Sequence, residues 1–505
     1  MHQIIRRHSR ARGLMAGIAV LFFLLNLQPL FSQTGANEAF DPKKTYGVDL
    51  LQEDFRIFRL ALEEGHAGLY RYTPKKELDG QFVAIEKSLT RPLTEIEFFR
   101  LLAPLIGNIN DGHTRINFSA ALENNLQDQP VLFPFKLQFI DDKAYLFRNY
   151  SENEGLMMGS ELLSINKKPI AEVIDLMLPL VTRDAHVETA RLRRMESTVL
   201  FGSLYTALFG PTASFSIGYR EPGSGDVKTV AVKGIPSKDL NGVFARRYPD
   251  AARQLPPIQV EWKEDIAVLT VRTFGSGAYQ SAKISYPTFL RDTFKEFEDK
   301  GTQHIVIDLR DNGGGDDAYG KILFAHLMDK PFQYYRHLRI NRAEYSFFKY
   351  TNVPPEQTKL PANQFKKNDE GTYDLTFHPN LGLQQPIPPI FQGKVYVLIN
   401  GNSFSGTGEC TSLIHYHKKA VFIGEECGSG YYGNTSGFMP ELTLPNTKLR
   451  VRIPLLLYTM AVSGYPEDRG IIPDHPVAPS IKDLLEGMDR VMEYTIELIK
   501  KEKGA

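Results

Sequence analysis

Twice between residues 300 and 425 an apolar run ends on a cluster of glycines and small hydroxyl residues, and a helical pattern follows. "HIVIDL" leads into "RDNGGGDD" and the amphipathic "AYGKILFAHLM"; "KVYVLI" leads into "NGNSFSGTGEC" and "TSLIHYHKK". Runs of β-branched residues that stop on glycine and restart at helical spacing read as buried strands joined through helices. "DIAVLTV" and "YPTFLRDTFKEFEDKG" precede them and "AVFIGEE" follows, so residues 255–480 read as an α/β layer. In such a layer the turns gather at the carboxyl ends of the strands, where sites form.

The remainder of the 505 residues differs in pattern. "VDLLQEDFRIFRLALEEGHAGLY" and "LTEIEFFRLLAPLIGNI" carry apolar residues at helical spacing, predicting a helical domain over residues 33–125. It ends in "NINDGHTRINF", where the pattern breaks at Asp111-Gly112 and alternation begins. Residues 126–240 hold short β runs and a strand–turn–helix unit, "GLMMGSELLSINKKPIAEVIDLM". Residues 481–505 read as a C-terminal helix.

Residues 1–32 follow the basic, apolar and small-residue plan of a secretory signal peptide, with an apolar core short for a membrane span. Export to the periplasm or the extracellular space is therefore expected; an uncleaved anchor is the alternative. That segment carries four arginines and no acid, so the remaining chain has a net charge of about −4. Nothing in this balance supports a nucleic-acid partner. Cys410 and Cys427 are the only cysteines and read as two buried thiols, although export would permit a disulfide. Their spacing with His415 and His417 fits no zinc motif, and no metal or organic cofactor is expected.

Two turns could carry chemistry. A strand that runs through Ser403-Phe404-Ser405-Gly406 into a helix can hold up a nucleophile, because small neighbours permit a sharp bend and the helix start favours an anion. An ordinary serine N-cap would give the same pattern. Gly313-Gly314-Gly315 can bring backbone N–H groups close to a ligand, but the loop lacks the GK[ST] ending of a phosphate loop. "GSGYYG" matches GxGxxG with no helix after it, so it is not read as a dinucleotide site.

Taken in order, "IVIDLRDNGGG", "VYVLINGNSFSGTGE", "AVFIGEECGSGYYGNTSG" and "LTLPNTKLRVRIP" resemble the S41 peptidases, which include the C-terminal processing (tail-specific) and tricorn-like proteases. The resemblance covers roughly residues 260–480. It implies a crotonase-like α/β catalytic domain, and it makes "GLMMGSELLSINKKPI" similar to a degenerate PDZ-like module. By position Ser405 is the implied nucleophile, with Gly406 and a glycine of the 313–315 loop, Gly314 best placed, as the oxyanion hole. The lysine base of the processing branch is missing: its position is Gly430, and Lys418 and Lys419 fall at the far end of the next helix. "NDGHT" resembles the histidine motif of the tricorn-like branch, implying His113 as base, with His66 the rival. "YPEDRGIIPDHPV" resembles that branch's late acidic block, implying Glu467 as the orienting acid, with Asp468 the near alternative.

A serine hydroxyl needs such a base, and the base needs an acceptor to orient it. An unperturbed histidine would titrate at roughly 6 to 7. The expectation is an exported serine endopeptidase acting on protein or peptide substrates through a Ser405–His113–Glu467 triad. The rival expectation is an inactive relative that holds an apolar ligand or peptide in the same cleft.

Overall fold

The computed structural model describes residues 39–358 and 362–504. The signal-peptide reading of residues 1–32 lies outside them. Among the described residues no helix is long and apolar enough to cross a membrane.

The chain enters through two long helices. Helix α1 (Val48–Gly65) buries Leu51, Phe55, Phe58 and Leu62, a face spaced by threes and fours. Helix α2 (Glu95–Asn108) starts on a capping box in which Thr94 and Glu97 satisfy each other's backbone N–H groups. The helix stops before Asn110, which takes a positive φ, and the short strand β1 (Arg115–Asn117) follows.

Next comes an antiparallel sheet in the order β2 (Phe135–Ile140), β3 (Lys143–Asn149), β4 (Glu161–Ile165), β5 (Ser214–Arg220) and β6 (Val227–Lys233). Helix α3 (Glu188–Met195) lies between β4 and β5 in the chain. Alternate residues of these strands meet in one apolar cluster built around Phe133, Phe135, Phe201 and Phe215.

The predicted α/β layer is a six-stranded sheet. β7 (Ile258–Lys263) pairs antiparallel at its edge with β8 (Ile266–Val271). β9 (His304–Asp308), β10 (Lys394–Ile399), β11 (Val421–Gly424) and β14 (His475–Pro476) then continue it in parallel. Both faces are covered, as a parallel sheet requires. Val395, Val397 and Ile399 of β10 enter one core with α4 (Tyr286–Asp299), α5 (Asp317–Ala325) and α6 (Gly406–Tyr416). Tyr396 and Leu398 enter the opposite core against Val491, Met492 and Ile499 of α7 (Arg490–Lys503).

One connection ties the two ends of the chain together. Strands β12 (Glu441–Thr443) and β13 (Arg450–Arg452) form a hairpin, and β1 adds to its edge with Arg450 opposite Asn117, Val451 opposite Ile116 and Arg452 opposite Arg115. Leu442, Leu449, Val451 and Leu455 share a single core with α1 and α2. Buried Asp54 of α1 accepts the N–H of Thr447 at 2.8 Å, which locks the same hairpin from the side.

Candidate active site

The loops after β9 and β10 lie side by side because those strands are parallel neighbours. Buried Asn312 joins them: its side chain donates to Val271 O at 2.9 Å and its carbonyl accepts the Phe404 N–H at 3.0 Å. Ser403 is spent on the turn itself, donating its hydroxyl to Leu309 O at 2.8 Å and accepting the Asn400 N–H at 3.0 Å. Ser405, the next hydroxyl, stands at φ 57° and ψ −126°, just before α6, with no capping hydrogen bond from its side chain. A non-glycine residue there is strained, and such strain collects at functional turns. Its backbone N–H is held by Ser429 Oγ at 2.7 Å.

Facing it is His113, from the β1 side of the three-stranded sheet. Its Nε2 lies 3.0 Å from Ser405 Oγ, across 292 residues of sequence. The ring is buried and stacks on Phe404 with centroids 4.7 Å apart. A buried turn aims it: Asp111 Oδ1 accepts the N–H groups of His113 and Thr114 at 2.9 and 2.8 Å, and Asp184 accepts that of Gly112 at 2.7 Å. Gly112 has no room for a side chain, since a Cβ would sit 2.7 Å from both Phe404 and Arg194.

Burial pushes the His113 imidazole well below the ordinary histidine value. The charge of Asp111 opposes that shift, and the guanidiniums of Arg452, Arg194 and Arg115 add to it. The imidazole is therefore neutral, with a lone pair available for the serine proton. Asp111 itself is held below the usual carboxyl range: burial works against its charge, but His66, His113 and the Thr435 and Thr114 hydroxyls outweigh it. It is the chief negative charge acting on His113, a role the sequence reading did not assign. The Asp two residues before His in "NDGHT" was the available signal.

His66, the rival base, is occupied. Its Nε2 meets Thr114 Oγ1 at 2.7 Å and its Nδ1 accepts the Gly68 N–H at 3.1 Å. The lysine substitutes fail on distance, because Lys418 and Lys419 follow the eleven-residue α6, about 16 Å of rise from its start. At Gly430 a Cβ would fall 2.5 Å from the Tyr72 hydroxyl, which fills the space a lysine would need.

The acid is where structure and sequence part. Glu467 lies in an exposed stretch, and its carboxylate forms no hydrogen bond or ion pair with any described residue. His113 Nδ1, the atom an orienting acid would hold, is buried without a partner. Asp468 is also exposed, with Oδ2 3.9 Å from His186 Nδ1. The chain thus brings base and nucleophile together and leaves Glu467 apart, because the turn at residues 463–469 runs along the surface.

A second difference concerns the oxyanion donors. Gly314, at φ +92°, presses against the nucleophile turn: a Cβ there would sit 2.8 Å from both Gly406 N and Ser405 Cβ. Its own N–H, however, is donated to Asn312 Oδ1 at 3.0 Å and is not free for a substrate. The Gly315 and Gly406 N–H groups have no acceptor among the described residues, and Gly315 N is 3.7 Å from the Cβ position of Gly406.

Cys410 and Cys427 are separate buried thiols. Their surroundings push both thiol pKa values up, chiefly by burial, so neither is a reactive thiolate. Among the described residues no group of His, Cys, Asp and Glu is arranged to hold a metal ion.

Residues 265–477 match the model of peptidase family S41. That span contains Ser405, both glycine turns and Glu467, and excludes His113 and Asp111. Among solved structures, mature CPAF is 18% identical with a TM-score of 0.60, over 90% of this chain and 98% of that one. Mature CPAF complexed with lactacystin is 17% identical at the same TM-score, over 90% and 99%. A serine-to-alanine CPAF mutant is 16% identical with a TM-score of 0.58, over 86% and 94%. At such identities the likeness establishes a shared fold spanning nearly the whole of those chains. No curated protein matches.

Proposed function

Since residues 265–477 belong to peptidase family S41, the chain is a serine-type peptidase, and we propose that it is an exported endopeptidase using Ser405 as nucleophile and His113 as general base. The 3.0 Å approach of His113 Nε2 to Ser405 Oγ carries the reading. Nε2 takes the hydroxyl proton as Oγ bonds to the substrate carbonyl carbon. The resulting oxyanion accepts from the N–H groups of Gly406 and Gly315, with Gly315 taking the part the sequence gave to Gly314. His113 returns the proton to the departing amine, and the peptide's acyl half stays on Ser405. Water then gives its proton to the same nitrogen and attacks the ester, releasing the acid product and the free hydroxyl.

Glu467 is the proposed third member, on its position in the late acidic block. Its charge is also felt by the Tyr72 hydroxyl, which lies against Gly430. In this reading substrate binding brings the 463–469 turn inward and the carboxylate to His113 Nδ1. A second reading has its own support: Asp111 already supplies a buried negative charge beside His113 and would stabilise the imidazolium without moving. The sheet of residues 126–240 serves, in either reading, as the PDZ-like module that positions the peptide. Export rests on the signal-like residues 1–32.

The test is hydrolysis of a quenched peptide together with labelling by a serine-reactive fluorophosphonate. Ser405→Ala and His113→Ala should lose both; an unlabelled wild-type protein would favour the apolar-ligand carrier. Glu467→Gln should lower kcat by about two to four orders of magnitude with KM little changed if it is the acid. If Glu467→Gln is normal and Asp111→Asn is crippled, the charge on His113 comes from Asp111.

A further inference from the structure

Three arginines from three segments converge around His113. Arg452 on β13 donates Nε to His113 O at 3.0 Å. Arg194 on α3 donates Nη1 to Gly112 O at 3.2 Å and lies over the Phe404 ring, 4.6 Å from its centroid. Arg115 on β1 stands directly opposite Arg452 in the antiparallel register. Directly opposed residues send their side chains to the same face with Cβ atoms about 5 Å apart, so two like charges are forced together.

None of the three forms an ion pair with a carboxylate among the described residues. Arg115 is open to solvent, and its side chain makes no hydrogen bond at all. Their neighbours are unlike them. Arg450, two residues from Arg452, pairs with Glu123 and Glu441; Arg193, next to Arg194, pairs with Glu196 and Glu425. The nearby acids, Asp111 and Asp184, point the other way, holding the backbone turn that aims His113. Three uncompensated guanidiniums therefore share one patch at the rim of the Ser405–His113 pair. They depress one another: burial and the Arg115 charge lower the pKa of both Arg194 and Arg452. Such an arrangement is unfavourable alone and favourable with an anion, and the guanidinium fork matches a carboxylate.

We propose that Arg115, Arg194 and Arg452 form a subsite for a carboxylate of the peptide substrate, next to the scissile bond. The inference rests on the peptidase reading and adds the chemistry of what is cut. Two sources of that carboxylate exist, an acidic side chain flanking the bond and a C-terminal carboxylate close to it.

The test uses the full chain and two matched pairs of quenched peptides. One pair differs by Glu against Gln at each position flanking the cleaved bond; the other differs by a free against an amidated C-terminus. Wild type should prefer one carboxylate-bearing member by about tenfold or more in kcat/KM. Arg115→Gln should remove most of that preference while leaving the neutral peptide within about twofold, and Arg115→Glu should reverse it toward Lys. Arg115 makes no side-chain contact within the fold, so these variants should fold. The pair that shows the preference names the source. Equal cleavage of both members of both pairs, or a preference untouched in Arg115→Glu, overturns the subsite. Fluorophosphonate labelling of Ser405 separates the two readings: a labelled serine without carboxylate preference sinks the subsite alone. An unlabelled serine, with Arg115-dependent binding of a fluorescent acidic peptide, keeps the subsite and sinks the nucleophile.

Discussion

Replacing Ser405 by Gly and by Ala should separate the strain at the turn from the chemistry of its hydroxyl. Both variants lose the same 3.0 Å contact with His113, so the difference between them is a backbone effect. Ala keeps a Cβ at φ 57°, ψ −126°; Gly does not. Relief of such strain is worth about 1–3 kcal/mol. The extra freedom of Gly in the unfolded chain takes back about 0.5–1 kcal/mol. The net is about 1 kcal/mol in favour of Gly, against the usual order of these two residues. An unfolding entropy of about 2 cal/mol/K per residue gives about 1 kcal/mol/K for a chain of this size, so Ser405→Gly should melt about 1 °C above Ser405→Ala. Calorimetry with replicate scans resolves that sign. A Gly variant that melts below the Ala variant would show that the turn is unstrained, and the account of how Ser405 is held up would fail. Neither variant should hydrolyse peptide.

The acid limb of kcat/KM should lie below the ordinary histidine range, because His113 must be neutral to act and its pKa is lowered, first by burial. A pH profile with the limb at or above about 6.5 would contradict the buried, arginine-ringed base. Asp184→Asn should raise the melting temperature at about pH 8 and not at about pH 5. Burial and Asp111 push the Asp184 carboxyl up to about 7, so the native state loses stability as pH rises from the ordinary carboxyl range through that value. Gly314→Ala should cut kcat by about a hundredfold or more, since a Cβ there strikes Phe404 O, Gly406 N and Ser405 Cβ inside 3.0 Å. Lys418→Ala and Lys419→Ala should leave turnover nearly unchanged; a large loss with either would point back to a lysine base.

The sequence determined what depends on neighbours along the chain. Alternation at period two in "KVYVLI" meets two different cores in the structure, and glycine clusters mark the turns between strand and helix. Order and spacing of the four blocks were enough to single out Ser405 and His113 as residues to bring together. What the sequence could not carry was the direction of individual groups. Gly314 and Gly315 are equivalent as letters, and only the Asn312 side chain decides whose N–H remains free. Glu467 fits its motif, yet its turn runs over the surface and leaves His113 Nδ1 without a partner. Arg115 and Arg452 are ordinary strand residues 337 positions apart until the register sets them face to face. Contacts across hundreds of residues depend on how strands pair and cores close, and that is a property of the whole fold, which no local pattern encodes.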